Sequence, residues 1–452
     1  MQFFHIRKIL KTAGIAVISV FIYFTSRAHA APHSHQLPAG YNLILIGWDT
    51  LRADHVSALG YKRKTTPNLD RLAGRSFLFT KAISPASWTL PAFMSIFTSL
   101  YPSQHGVTNK YKLPSDDTVE FEMTSLSTDA VTLAQVFKAN GYKTAAFTGG
   151  AGLGGHFGFS RGFDVYVDSG NFVGFDSTFP QAIDWLSENS NNRFFLFIHG
   201  YDTHPFHNLK ADGRYSFIPP EEASDVLKIR ERHEKMRMDI LEGKKVQHTN
   251  ADIRLWNDAY DEKIVRADRL WGKFLTDFSA LKNTAENTVI ILLSDHGEEL
   301  FDHGGVDHGM TLYDEVIHVP LLIHVPHKKG RIIDAQVRTM DIFPTIMELL
   351  ALKQEEKLPE QLQGSSLVAR MNGDTKPLDA FSETDYLFHF NKRAVRKSNG
   401  LKLTYDGFTQ DRRLYDTLSD PGEKTDIFEK EAAKSYPLEI ELFNWLDDIN
   451  PR

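Results

Sequence analysis

Three short apolar runs, each closing on acidic or imidazole side chains, constrain the fold of this chain more than any other feature. Tyr41-Asn-Leu-Ile-Leu-Ile-Gly-Trp48 ends at Asp49, and Arg193-Phe-Phe-Leu-Phe-Ile198 ends at His199-Gly-Tyr-Asp202-Thr-His204. Thr288-Val-Ile-Ile-Leu-Leu-Ser294 ends at Asp295-His296-Gly297. Such runs are continuous, short and rich in branched or aromatic residues, as strands of a parallel sheet covered on both faces should be. The expected fold is α/β, with a large, mostly parallel central sheet flanked by helices. In open α/β sheets, ligands collect beyond the carboxyl ends of the strands. Distant segments would therefore deliver carboxylates and imidazoles to one edge.

A fourth segment supplies a hydroxyl. Ser84-Pro-Ala-Ser-Trp-Thr89-Leu-Pro91-Ala-Phe93 runs into an apolar helix pattern and reaches Pro102. Thr89 falls at the start of that helix, with Pro91 in the first turn, where a missing N–H does no harm. Free N–H groups and the helix dipole then face an incoming anion. Thr89 reads either as an ordinary cap or as a hydroxyl placed to attack a phosphate or sulfate ester.

From Asn42 to about Asp426 the sequence resembles the sulfatase family of the alkaline-phosphatase superfamily. The resemblance rests on blocks in family order: Asp49-Thr-Leu-Arg-Ala-Asp-His55, Thr66-Pro-Asn-Leu-Asp-Arg-Leu-Ala73, Tyr101-Pro-Ser-Gln-His-Gly106 and Gly141-Tyr-Lys-Thr144. Ser294-Asp-His-Gly-Glu-Glu299, His308-Gly-Met-Thr-Leu-Tyr-Asp-Glu315, Val319-Pro-Leu-Leu-Ile323 and Asp341-Ile-Phe-Pro-Thr345 follow. Leu414-Tyr-Asp and Asp420-Pro-Gly-Glu-Lys-Thr-Asp426 resemble the family's C-terminal subdomain.

The departures are equally informative. Family members carry Cys or Ser two residues before the proline, oxidised to formylglycine, and Arg two residues after it. Here Thr89 and Phe93 occupy those positions, and the chain has no cysteine. No formylglycine is expected. The Gly-Tyr-x-Thr block also lacks its following Gly-Lys, and Thr148-Gly149 stand there instead. A basic contact to the anion must come from elsewhere.

The resemblance implies a metal quartet of Asp49, Thr89, Asp295 and His296. Two carboxylates, an imidazole and a hydroxyl suit Zn²⁺ or Mn²⁺ best, with Ca²⁺ also admitted. His204 matches a family histidine that contacts the ester oxygens. His308 matches the basic position beside the leaving group, and an imidazole suits general-acid work. Arg52, His199 and Asn109 are further candidates for substrate contact, although Arg52 equally suits a structural salt bridge and His199 the closing of a strand. Asp202, His303 and His105 are weaker candidates.

The hydroxyl bears on the substrate. Formylglycine hydrate expels sulfate by collapsing to the aldehyde, a route closed to threonine. A phosphoryl-threonine can be displaced by water or an alcohol. The swap therefore favours cleavage of phosphate or phosphonate (di)esters carried on a lipid headgroup, glycan or small molecule. Sulfate-ester hydrolysis by an atypical route, headgroup transfer, and non-catalytic binding of an anionic glycan stay open.

Residues 1–30 have a basic start, an apolar stretch and an Ala28-His-Ala30 cleavage pattern, which together read as a signal peptide. A periplasmic or secreted protein with no stable membrane span after cleavage is expected. A net charge of −7 argues against nucleic acid as a partner. A catalytic domain over residues 41–352 and a C-terminal subdomain over 353–452 are expected. The second should hold strands at Arg393–Arg396, Leu401–Tyr405 and Arg413–Asp416 under a helix near Lys430–Leu446. Lys392, Arg393, Arg396 and Lys402 read as exposed charges on that sheet in preference to groups that reach toward the substrate. The charged stretch from about His207 to Thr249 reads as an insertion over the active-site edge, a solvated helical face in preference to a substrate clamp. A core-facing helix is expected over Asn257–Phe278.

Overall fold

The computed structural model describes residues 40–112, 122–205, 209, 215–353 and 358–449. The expected signal peptide, part of the inserted stretch and the polar boundary at 354–357 lie outside the described residues.

Strands in chain order are β1 (Asn42–Trp48), β2 (Phe77–Ile83), β3 (Lys143–Phe147), β4 (Val165–Val167), β5 (Phe194–Gly200) and β6 (Thr288–Leu293). A short hairpin follows, β7 (Glu299–Leu300) and β8 (Val306–Asp307). Then come β9 (His318–His324), β10 (Arg331–Ile333) and β11 (Val337–Arg338). The central sheet runs β10-β2-β9-β6-β1-β5-β3-β4, with β11 also pairing on β2. Its pairings are parallel except those of β9, which lies antiparallel between β2 and β6.

β1 shows why the apolar runs are continuous. Leu43 and Leu45 enter one core with Phe93, Phe97 and Phe343, while Ile44 and Ile46 enter the other with Phe179 and Trp271. Alternate side chains point to opposite faces, and helices cover both. Helices Thr89–Thr98 and Ile342–Leu349 lie on the first side, and Phe175–Asn189 and Asn250–Ser279 on the second. The last begins seven residues before the expected Asn257, because Thr249 and Asp252 form a reciprocal cap there.

Beyond the central sheet, β12 (Ala380–Tyr386), β13 (Phe390–Arg396), β14 (Leu401–Asp406) and β15 (Arg412–Asp416) form an antiparallel sheet in sequence order. Val395, Leu403 and Leu414 pack under Leu438 and Leu442 of the Ala432–Ile449 helix. β12 is the strand the sequence pattern missed. It docks on the Ser84 segment through Glu383 N–H to the Pro85 carbonyl (2.9 Å) and the Ser382 hydroxyl to the Ser84 carbonyl (2.7 Å).

Two expectations about surface charge are corrected. Lys402, read as exposed, is fully buried and pairs with Asp314 (3.0 Å) and Glu423 (2.9 Å), while Arg396 binds Asp314 at 2.8 Å. The inserted helix, Ala223–Leu241, is not merely a solvated face. It buries Val226, Ile229, His233 and Met236, and carries Arg237 to the site. Among the described residues, no helix is long and apolar enough to cross a membrane.

Candidate active site

Three parallel strands end at one edge, and each hands over to a functional loop. Asp49 follows β1 and is fully buried; its backbone N–H binds the Gly200 carbonyl at the end of β5, and its carbonyl accepts from the Thr203 hydroxyl. Asp295 and His296 follow β6, the other neighbour of β1. Asp295 accepts the Thr50 N–H at 3.4 Å.

Thr89 is the first residue of its helix, and the capping position belongs to Trp88, whose side chain makes no capping bond. The Thr89 hydroxyl is therefore not used as a cap. It donates to Asp49 Oδ1 at 3.2 Å and lies 3.3 Å from His296 Nε2. Gly152 packs beside it, where an added Cβ would sit 3.1 Å from the Thr89 Cβ.

Asp49, Asp295 and His296 place their donor atoms within 4.8 Å of one another. The chemistry of the group fits a divalent cation. Asp49 Oδ2 and Asp295 Oδ2 are buried and have no hydrogen-bond partner among the described residues. Such atoms are costly unless something charged meets them. His296 Nδ1 donates to the Gly297 carbonyl at 2.8 Å, which leaves the Nε2 lone pair turned to the carboxylates. Burial holds the His296 pKa well below its ordinary value, with the His308 charge adding to the effect, so the ring is neutral. Burial pushes Asp295 up to about 7 and, with the Asp295 charge, raises Asp49 well above the carboxylate range.

Two further imidazoles face this group. The His308 ring lies 4.4 Å from that of His296 and 5.1 Å from that of His204. His308 Nδ1 meets Glu298 Oε2 at 3.0 Å and Asp307 Oδ1 at 3.1 Å. Burial opposes a charge on His308, but Asp307 and Glu298 outweigh it and hold the pKa above its ordinary value. His204 shifts the opposite way, first through burial and then through the charge of His308. Lys263 donates to the His204 carbonyl at 2.9 Å and fixes that loop.

Thr89, His204 and His308 open into a cleft of about 140 Å³. Its walls include Trp88, Phe172, Tyr386 and Leu387, with Lys110 and Arg237 among its cations. Neither cation was singled out by itself in the sequence, although Lys110 follows Asn109 and Arg237 lies in the charged stretch weighed as a substrate clamp. Glu298 and Asp307 were also missed, although both adjoin blocks already singled out.

The other candidates do not line this cleft. The Arg52 guanidinium is taken up by Asp54 (2.8 Å), Asp302 (2.7 Å) and the Glu298 carbonyl (2.9 Å), and it lines a separate cavity. The Asn109 amide binds the Asp385 carbonyl and the Leu387 N–H, joining its loop to the end of β12. His199 is fully buried, 3.9 Å from Asp49, with both ring nitrogens lacking a hydrogen-bond partner among the described residues. Asp202 accepts the Phe175 N–H, His105 bonds within its own turn, and His303 pairs with Glu315.

Comparison with known proteins fits this arrangement. Residues 41–352 match the Sulfatase family model, and residues 301–448 match the model described as N-sulphoglucosamine sulphohydrolase, C-terminal. A protein named "Sulfatase" from Formosa agariphila is 26% identical over 436 residues, covering 84% of this chain and 82% of its own. A solved 2-O GAG sulfatase has a TM-score of 0.69 at 19% identity, covering 90% of this chain and 91% of its own. The phosphonate monoester hydrolase of Agrobacterium radiobacter has a TM-score of 0.66 at 19% identity, covering 91% and 96%. With a sulfatase model matching most of its length, this chain belongs to the sulfatase family of the alkaline-phosphatase superfamily and is a hydrolase acting on ester bonds.

Proposed function

We propose that the chain hydrolyses phosphate or phosphonate (di)esters with Thr89 as nucleophile. The observation that carries this reading is the Thr89 hydroxyl, free of capping duty and within 3.2 Å and 3.3 Å of Asp49 and His296. Asp49, Asp295, His296 and Thr89 would hold a divalent ion, Zn²⁺ or Mn²⁺ in preference to Ca²⁺. When bound, it supplies Lewis acidity that acidifies the threonine hydroxyl and takes up charge on the ester oxygen.

The chain's own groups do the rest. The Thr89 hydroxyl passes its proton to Asp49, which accepts its hydrogen bond, as the Oγ1–P bond forms and the ester P–O bond breaks. His308, held charged by Asp307 and Glu298, gives its proton to the departing oxygen. His204 faces the non-bridging oxygens. Water then displaces Thr89 from phosphorus, giving one proton to His308, and Thr89 regains its own from Asp49. Residues 41–352 form the catalytic unit and 353–452 the subdomain that closes the cleft, with 1–30 directing export to the periplasm or exterior.

Hydrolysis of sulfate esters is the second reading, favoured by the sulfatase match over residues 41–352. Matched aryl sulfate, phosphate monoester, phosphodiester and phosphonate separate the two. Each is assayed with Zn²⁺, Mn²⁺ or Ca²⁺ against Thr89→Ala. Phosphodiester or phosphonate turnover that disappears in Thr89→Ala supports the proposal. Sulfate turnover that survives in Thr89→Ala removes Thr89 as nucleophile.

A further inference from the structure

Lys110 and Arg237 have more positive charge between them than their surroundings balance. Arg237 Nε binds Asp307 Oδ2 at 2.6 Å, but the other oxygen of Asp307 accepts the His308 N–H at 2.9 Å and lies 3.1 Å from His308 Nδ1. One carboxylate thus serves two cations. Arg237 also donates to the Tyr386 hydroxyl at 2.8 Å, which fixes the guanidinium without neutralising it, and Glu234 on the same helix acts on it more weakly than Asp307 does. Lys110 shares the cleft, and its ammonium has no hydrogen-bond acceptor or ion-pair partner among the described residues. Enclosure of the amine, and then the Arg237 charge, lower its pKa.

The walls sharpen this imbalance. Trp88 stands edge-on to Tyr386, with centroids 5.2 Å apart. Tyr386 in turn covers the turn that carries His308, where a Cβ on Gly309 would come within 2.7 Å of its ring. Apolar walls lower the local dielectric and strengthen attraction between charges. The groups that react with the ester do not call on Lys110 or Arg237.

We propose that Lys110 and Arg237 form a second anion subsite, so that the substrate carries a further anionic group, carboxylate or sulfate, beside the ester that is cleaved. This rests on the Thr89 cleft being where the ester binds. Two opposed cations on an aromatic wall suit a flat ring bearing both groups.

The test uses methyl phosphodiesters of phenol, 4-hydroxybenzoate and 4-hydroxybenzenesulfonate, titrated calorimetrically into metal-loaded Thr89→Ala protein. The charged pair should bind about tenfold more tightly than the phenyl ester, the size of one charge-assisted hydrogen bond. That preference should fall in Lys110→Gln and Arg237→Gln and weaken with added salt. Comparing the two charged probes shows whether carboxylate or sulfate fits better. Equal binding of all three, binding of none, or a preference that persists in both variants overturns the subsite. Turnover in the unsubstituted protein reads the Thr89 chemistry separately. A binding preference without turnover retains the subsite and removes the chemistry, whereas turnover without preference does the reverse.

Discussion

Phe93 stands edge-on to His199, with ring centroids 5.1 Å apart and planes at 88°. The same Phe93 ring fills the space over β1 at Gly47, where a Cβ would lie 2.5 Å from its Cζ. An aromatic pair thus occupies the place of the arginine that the family motif carries. Gly47→Ala should destabilise the protein by about 1–3 kcal/mol through overpacking, read as a lower urea midpoint at unchanged slope. Combining it with Phe93→Leu should recover most of the loss, because the clash lies with the ring.

Asp295 is raised to about 7 from 3.8 by burial. A carboxyl with a raised folded-state pKa keeps its proton where the unfolded chain has lost it. Metal-free protein should therefore lose stability as pH rises from about 4 to about 7. A divalent ion needs these carboxylates ionised, so its affinity should rise over the same window with proton release. Calorimetric Zn²⁺ titrations at pH 6 and pH 8, each in two buffers of different ionisation heat, would read both quantities. Affinity independent of pH would place the ion away from Asp49 and Asp295.

His308 is held protonated above the ordinary imidazole range by Asp307 and Glu298. The acid form is present below its folded pKa and is lost as pH rises through it. The alkaline limb of kcat should accordingly lie above about 6.5, the ordinary imidazole value, and His308→Gln should abolish it. The loss in rate should be about 10²–10⁴-fold for a poor leaving group and much smaller for nitrophenolate, which departs without a proton.

Lys402 is enclosed between Asp314 and Glu423. Lys402→Ala leaves buried Glu423 without its cation and Asp314 with Arg396 alone, and should cost about 3–5 kcal/mol, measured by urea unfolding. Replacing Lys402 and Glu423 together with apolar residues of similar volume, which leaves Asp314 paired with Arg396, should recover much of that loss. A Lys402→Ala protein with unchanged stability would mean that water reaches the pair.

The sheet and the acidic strand ends were legible because both follow from short-range pattern. An apolar run with an Asp at its end states both where a strand stops and what it delivers, as at Asp49 and Asp295. Lys402 and Arg237 were not legible for one shared reason. Their partners, Asp314 and Asp307, lie 88 and 70 residues away, and a charged residue in a strand or helix reads as solvated until its neighbours are known. β12 was missed because Phe381-Ser-Glu-Thr-Asp-Tyr386 carries polar residues in a strand whose Ser382, Glu383 and Thr384 are all buried. Their hydrogen bonds go to the Ser84 segment, the Ser103 turn and the Gly309 carbonyl, none of which local sequence reveals.

Asn42 of β1 pairs with Thr288 of β6, 246 residues further along. At ribosomal rates of about 5–20 residues per second, β1 spends roughly 12–50 s outside the ribosome before that partner is made. Throughout that time Leu-Ile-Leu-Ile-Gly-Trp48, buried without exception in the finished sheet, is an open strand edge available to any other chain. A nascent polypeptide of this topology carries that edge unpaired until β6 emerges, and the same strand that sets Asp49 in place is where misassembly would begin.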